Sequence, residues 1–316
     1  MFLNKAVRIF SITTGVILLT LGFSYAQTLD IQLYEKGIEY AARGEFNKAK
    51  IDITNSQKIC KTENRKIALQ IIEDVRSNKI TKETAVYMFK GINFLVKEAP
   101  EKSIPEFNKA ISTNPGYIYA YLGRGFAYFG CANFDSALAD FNQALKLNPN
   151  YSFVYSARSS VFGAKGNLDS ALADCKRAIA LNSEDVYAHY NLGNVYFTNA
   201  NFQQAIYEYS LAIQIAPSYA LAYRNRGNAY LKIGDYAKAI SDYNKAIEMY
   251  PDSRAFASVY KDRALAYFYI KVYDKSLADV NKAESLGSKG PDSRRPSPGP
   301  TWRRSRRALA QSIRGS

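Results

Sequence analysis

From Tyr187 to Pro217 the apolar and small residues fall on the spacing of two helices joined by a polar turn. His189, Leu192, Gly193 and Tyr196 recur every three or four residues, which places them on one helical face. Asn199–Asn201 breaks the pattern; Ala205, Tyr209 and Ala212 resume it. Pro217 ends it, because a proline ring lacks an N–H donor and clashes with the preceding helical turn. The pattern predicts a helical hairpin. Thirty-four residues later the same chemistry returns in phase, as Tyr223, Arg226, Gly227 and Tyr230, then Ala239, Tyr243, Ala246 and Pro251.

The same period extends in both directions. Small residues recur at Gly91, Gly125, Ser159, Gly193, Gly227 and Ala264 on the first helices, and at Ser103, Ala137, Ala171, Ala205, Ala239 and Ser276 on the second. A third row follows at Ala110, Ala144, Ala178, Ala212, Ala246 and Ala283, with large partners such as Phe107, Phe141, Tyr209 and Tyr243 opposite. Small residues at a helix crossing with large ones around it are what close packing requires. Five units run in strict register, 84–117, 118–151, 152–185, 186–219 and 220–253. A degenerate unit covers 27–63, and a terminal unit, offset by three residues, carries the array to 290. The phase slips by twenty residues at 64–83, where Ile67, Ile71, Ile72 and Val75 predict one extra amphipathic helix.

A thirty-four-residue unit with glycine, aromatic, alanine and proline in phase resembles the tetratricopeptide repeat. That resemblance implies an all-α fold, a right-handed superhelical solenoid of about seven helix-turn-helix repeats, whose first helices line a concave groove. It also implies that each repeat is stable by packing on its neighbours. The groove positions of the family, carried onto this chain, give an apolar half at Met88, Leu95, Tyr119, Leu122, Phe126, Phe129 and Phe153. A more polar half follows at Tyr187, Tyr190, Asn194, Phe197, Arg224, Asn228, Lys232, Lys261 and Phe268. An exposed apolar patch marks a contact surface, and Arg224, Lys232 and Lys261 beside Asn194 and Asn228 suit a peptide carboxylate. The resemblance thus implies a non-catalytic scaffold that binds a segment of a partner protein. For the apolar half, the alternative reading is contact between successive first helices, or occupation by the extra helix from 64–83.

The net charge of +14 invites a nucleic-acid reading, but its distribution argues against one. Half of it lies in residues 289–316, where Lys289 and seven arginines face only Asp292. A nucleic-acid footprint is a basic stripe on the folded part. Residues 291–316, rich in Pro, Ser and Arg, read as a disordered tail. It is an anionic-surface tether, a solvated extension, or a stretch of another coding source. At the other end, the basic MFLNKAVR, the apolar run Ile9–Phe23 and the small residues of Ser24–Ala26 predict a signal peptide at 1–26. Export to the periplasm or beyond follows from it; the alternative is an uncleaved membrane anchor, and with it a membrane- or envelope-associated structural or assembly protein tethered by that segment or by the basic tail. No cysteine adjoins the cleavage point, so nothing indicates a lipoprotein.

The chemistry of catalysis is thin. The single histidine, His189, fills a slot held by Tyr87, Tyr121, Tyr155, Tyr223 and Tyr260 elsewhere and reads as a packing residue. Cys60, Cys131 and Cys175 are far apart with no CxxC spacing. No phosphate-cradling glycine loop is present, and paired carboxylates such as Glu35 and Glu39 read as a solvated face. No catalytic residue, metal site or cofactor is expected, nor a small-molecule substrate. Membrane contact is expected only through the termini, and oligomeric state stays open.

Overall fold

The structure is a computed structural model that describes residues 25–59, 62–249 and 256–287. The apolar run at 9–23, the tail from 291 and Pro251 lie outside the described residues. The described residues form fifteen helices and no strand. They are α1 (Tyr25–Ala42), α2 (Phe46–Ile59), α3 (Glu63–Arg76), α4 (Lys82–Val96), α5 (Pro100–Thr113), α6 (Ile118–Gly130), α7 (Phe134–Leu147), α8 (Ser152–Ala164), α9 (Leu168–Leu181) and α10 (Val186–Thr198). Then come α11 (Phe202–Ile215), α12 (Ala220–Lys232), α13 (Tyr236–Met249), α14 (Ala257–Tyr269) and α15 (Tyr273–Gly287).

Local chemistry sets the helix starts. Asn133 and Asn167 accept from the backbone N–H groups of Ser136 and Ser170 at 3.2 and 3.1 Å, capping α7 and α9. Asp185 caps α10 twice, accepting from the Tyr187 and Ala188 N–H groups. The turn inside each repeat needs one residue in the left-handed region. That residue is Gly44, Glu98, Ala132, Gly166, Ala200, Gly234 or Lys271, with φ between 58° and 81°.

The chain divides into two compact units, one ending at Asn199 and the other beginning at Ala200. In the first, α1 pairs with α2, α4 with α5, α6 with α7 and α8 with α9. Each pair leans on the next, through α5 on α6, α7 on α8 and α9 on α10. First helices also touch in succession, α4 on α6, α6 on α8 and α8 on α10. The glycine at the crossing of α6 and α7 is required sterically. A Cβ on Gly125 would stand 2.7 Å from the Phe141 ring. In the second unit α11 packs on α12, α12 on α13, α13 on α14, α14 on α15, and α12 on α14. Gly227 repeats the close approach there, 2.8 Å from the ring of Tyr243.

The extra segment at 64–83 is helical only to Arg76. Ser77 turns the chain and Asn78 takes φ 56°, so 77–81 is a turn before α4 begins at Lys82. The first helical pair nevertheless joins the second without it, because α1 packs directly on α4. α3 runs beside α2 instead, with Ala68, Ile71 and Ile72 fully buried.

Candidate functional site

In the first unit, the residues assigned to the apolar half of the groove are mostly core. Met88, Leu122, Phe126, Phe129 and Phe153 are all buried. Phe126 lies between Phe141 and Phe153, with ring centres 5.4 and 5.8 Å away, so its own repeat's second helix and the next first helix cover it. Phe129 rests on Phe134 at 5.9 Å. α3 adds to the cover: Ile67 packs on the cluster that holds Leu122, Phe126 and Phe153, and Ile71 belongs to the one that holds Met88 and Tyr117. Tyr119 is half-buried, edge-on to Tyr117 and Tyr151 at 5.4 and 6.2 Å. Two hydroxyls fasten α3 down. Tyr117 donates to Asp74 at 2.9 Å and Tyr151 donates to Glu63 at 3.1 Å. Both tyrosines are N-cap residues, of α6 and α8.

On α10, Tyr190 is buried, while Tyr187, Asn194 and Phe197 are half-buried. Tyr187 meets Phe153 edge-on at 5.5 Å. His189 is buried too, its Nε2 donating to the Ser183 carbonyl at 3.1 Å.

The polar positions that remain cluster in the second unit. Arg224, Asn228 and Lys232 form one stripe along α12 at four-residue spacing, and Lys261 stands on the adjoining α14. Lys232 is exposed; the other three are half-buried. Asn228 accepts a 2.7 Å hydrogen bond from the Tyr243 hydroxyl, which fixes its amide. Arg224 Nε is buried and meets no acceptor. Beside these cations lies Asp262, a residue the repeat register did not single out. Burial pushes its carboxyl up to about 6, against the opposing pull of Arg224, Lys261 and Lys232. Three cations to one carboxylate leave the patch positive. It suits an anionic or carbonyl-rich segment, with Asp262 already neutralising part of the charge. Arg224, Asn228, Lys232 and Lys261 all lie in the second unit, and Asn194 belongs to the first.

A second polar system escaped the sequence reading. Arg124, Arg158, Arg226 and Arg263 each clasp an aspartate sixteen residues on, Asp140, Asp174, Asp242 and Asp279, through two bonds of 2.6–2.8 Å. The third arm of each arginine reaches the preceding second helix, at Asn108, Asn142, Ser210 and Asn244. Each guanidinium also lies between two aromatic rings, as with Tyr121 and Tyr128 about Arg124. The recurring spacing of sixteen was the available signal. Among the described residues no three His, Cys, Asp or Glu side chains are grouped to hold a metal, and no helix is long and apolar enough to cross a membrane. Cys131 is a free thiol, and Cys175 is buried in the core.

Comparison with known proteins places this geometry. A family model described as tetratricopeptide repeat matches residues 118–151 and 220–253, and one described as TPR repeat matches 159–199 and 201–234. No curated protein matches the sequence. Among solved structures, the APC/C hetero-tetramer Cut9–Hcn1 superposes with a TM-score of 0.63 at 18% identity, over 82% of this chain and 53% of that one. The chain thus spans about half the length of that protein. A tetratricopeptide repeat protein from Parabacteroides merdae gives 0.54 at 18% identity, over 83% and 94%. A thermophilic TPR protein of Thermus thermophilus gives 0.52 at 19%, over 58% and 99%. At these identities the likeness is one of fold.

Proposed function

We propose, from the premise that this chain is a tetratricopeptide-repeat protein, that it is a non-catalytic scaffold holding a segment of a partner protein against its first helices. Protein interaction is the coarse function of such arrays; which face is used is our reading. The observation that carries it is the basic, partly open stripe of Arg224, Asn228, Lys232 and Lys261 on α12 and α14. Side chains that serve packing alone have no reason to gather three cations around one half-buried carboxylate. A partner segment with carboxylate or backbone carbonyl groups completes that arrangement.

The test is affinity capture with the full chain, read by mass spectrometry, against a variant carrying Arg224→Glu and Asn228→Ala. Loss of specific partners with unchanged helix content supports the reading. Unchanged capture removes this stripe as the site. We further propose that the scaffold works outside the cytoplasm, on the strength of the signal-like residues 1–26. Cell fractionation with amino-terminal sequencing of the mature chain tests this, and a cytoplasmic, unprocessed chain would end it.

A further inference from the structure

We propose that the face of the first unit beneath α3 is a helix-binding site, with α3 its resident occupant, and that the partner it fits is an amphipathic helix of another protein carrying the α3 pattern. This rests on reading the chain as an interaction scaffold and adds the chemistry of one partner.

The pattern is a single stripe. Glu63, Ile67, Ile71 and Asp74 stand at intervals of four, four and three residues, hence on one face of α3. The receiving face matches it group by group. The Tyr151 hydroxyl takes Glu63 and the Tyr117 hydroxyl takes Asp74, while between them Ile67 packs on the cluster that holds Leu122, Phe126 and Phe153 and Ile71 lies within the cluster that holds Met88 and Tyr117, with α2 and α4 alongside. The two carboxylates are eleven residues apart, about 16 Å along a helix, which sets the spacing of the two hydroxyl anchors.

α3 behaves as a ligand rather than as a brick of the array. It lies outside the thirty-four-residue period, and the helical pairs on either side meet without it, α1 on α4. A turn at 77–81 separates it from α4. Its outer fastenings, Lys50 to Glu73 and Arg76 to Asn47, are exposed, so water replaces them at little cost, whereas the buried bond of Arg65 to Ser56, with Arg65 over the Tyr34 ring, must break for α3 to leave. Removing α3 uncovers a row of aromatic and aliphatic side chains that only a similar helix would cover again. While α3 is seated, a partner binds weakly, because only the fraction of chains with the face open is competent.

Two measurements on the full chain decide this. The first is hydrogen exchange of the wild-type protein. Amides of 63–76 should exchange well before those of α4 to α6, through opening of α3 alone. If α3 is protected as long as α4 to α6, it leaves only on global unfolding and the proposal fails. The second uses a fluorescent peptide of residues 62–77 and a chain in which Ile67→Ser and Ile71→Ser loosen the native α3. The peptide should bind this variant at least tenfold more tightly than it binds the wild type. A peptide with Glu63→Gln and Asp74→Asn should bind the variant about tenfold more weakly, as loss of two charge-assisted hydrogen bonds requires. No uptake, or equal uptake of both peptides, overturns the proposal; if circular dichroism finds the variant unfolded, hydrogen exchange alone decides. Failure here leaves the stripe at Arg224 and Asn228 untouched, since those residues belong to the other unit.

Discussion

Four arginines in this chain carry out the same task with the same tools. Each is gripped by an aspartate in two bonds, tied to the preceding second helix by a third, and covered by aromatic rings on both sides. Arg158 and Asp174 keep only 20% and 8% of their side-chain surface in solvent. Losing one partner therefore strands a charge in a poorly hydrated place. Asp174→Ala should cost about 2–4 kcal/mol in urea unfolding, more than an exposed pair and no more than a fully buried one. Replacing both, Arg158→Met with Asp174→Leu, should recover most of that loss. Asp262 works in the opposite sense. Its folded-state pKa, about 6, lies above the ordinary 3.8, so the native state holds its proton more firmly than the unfolded chain does. The protonated form is favoured at low pH, and stability is lost as pH rises from about 4 through 6. Asp262→Asn should therefore gain stability over the wild type progressively between pH 4 and 7. A margin that stays flat across that range would show that the carboxylate is solvated instead.

Helices here are set by their neighbours and their turns together. Ala239 is fully buried on α13, against the glycine face of α12, where the Ala239 carbonyl lies 3.3 Å from a Cβ built on Gly227. Ala239→Leu has no room to enter and should cost about 1–3 kcal/mol, read as a lower unfolding midpoint with α12 and α13 exchanging sooner. The turns hold the reverse opportunity. Ala132 sits at φ 58°, a conformation that a side chain resists and glycine does not. Ala132→Gly should be neutral or stabilising by up to about 1 kcal/mol, whereas the same change inside a helix is destabilising by a similar amount. A loss of stability would mean that the turn is held by contacts of the alanine methyl group.

As a whole molecule the chain is an array in which most helices have neighbours on both sides. Within the second unit α12 packs on α11, α13 and α14, whereas α15 packs mainly on α14 among the described helices. Because stability in such arrays is a sum over neighbours, α15 should exchange its amide hydrogens ahead of α12 and α13. The arginine–aspartate clasps reinforce that order unevenly. The second repeat has Lys90 and Glu106 at the corresponding places, and the fifth has Leu192 and Glu208. Installing Lys90→Arg with Glu106→Asp should stabilise the α4–α5 pair by about 1 kcal/mol if the clasp geometry transfers. The charge of the molecule tells a separate story, since half of the +14 lies beyond residue 288 and the long body between the termini keeps a minor share. Binding by that body should therefore depend on the local stripe at Arg224 more than on a general positive field.

The sequence by itself determined the all-α class, the thirty-four-residue unit, the number of hairpins and the small residues at their crossings. Periodicity is a property of the chain: Gly125, Ala137 and Phe141 can be placed by counting, because each helix must show its small face to the next. Counting also found Ile67 and Ile71 as one face of an additional helix, while the resemblance to the repeat family supplied Arg224, Asn228 and Lys232 as groove positions. Only the tertiary structure decided what those faces meet. A side chain pointing toward a groove is free or covered according to what lies above it, and no periodicity says that α3 lies above Leu122 and Met88. The same holds for Asp262, whose carboxyl is unusual because of its burial beside three cations on two helices. Local spacing sets which residues share a helix face; long-range packing decides whether that face is surface, core or site.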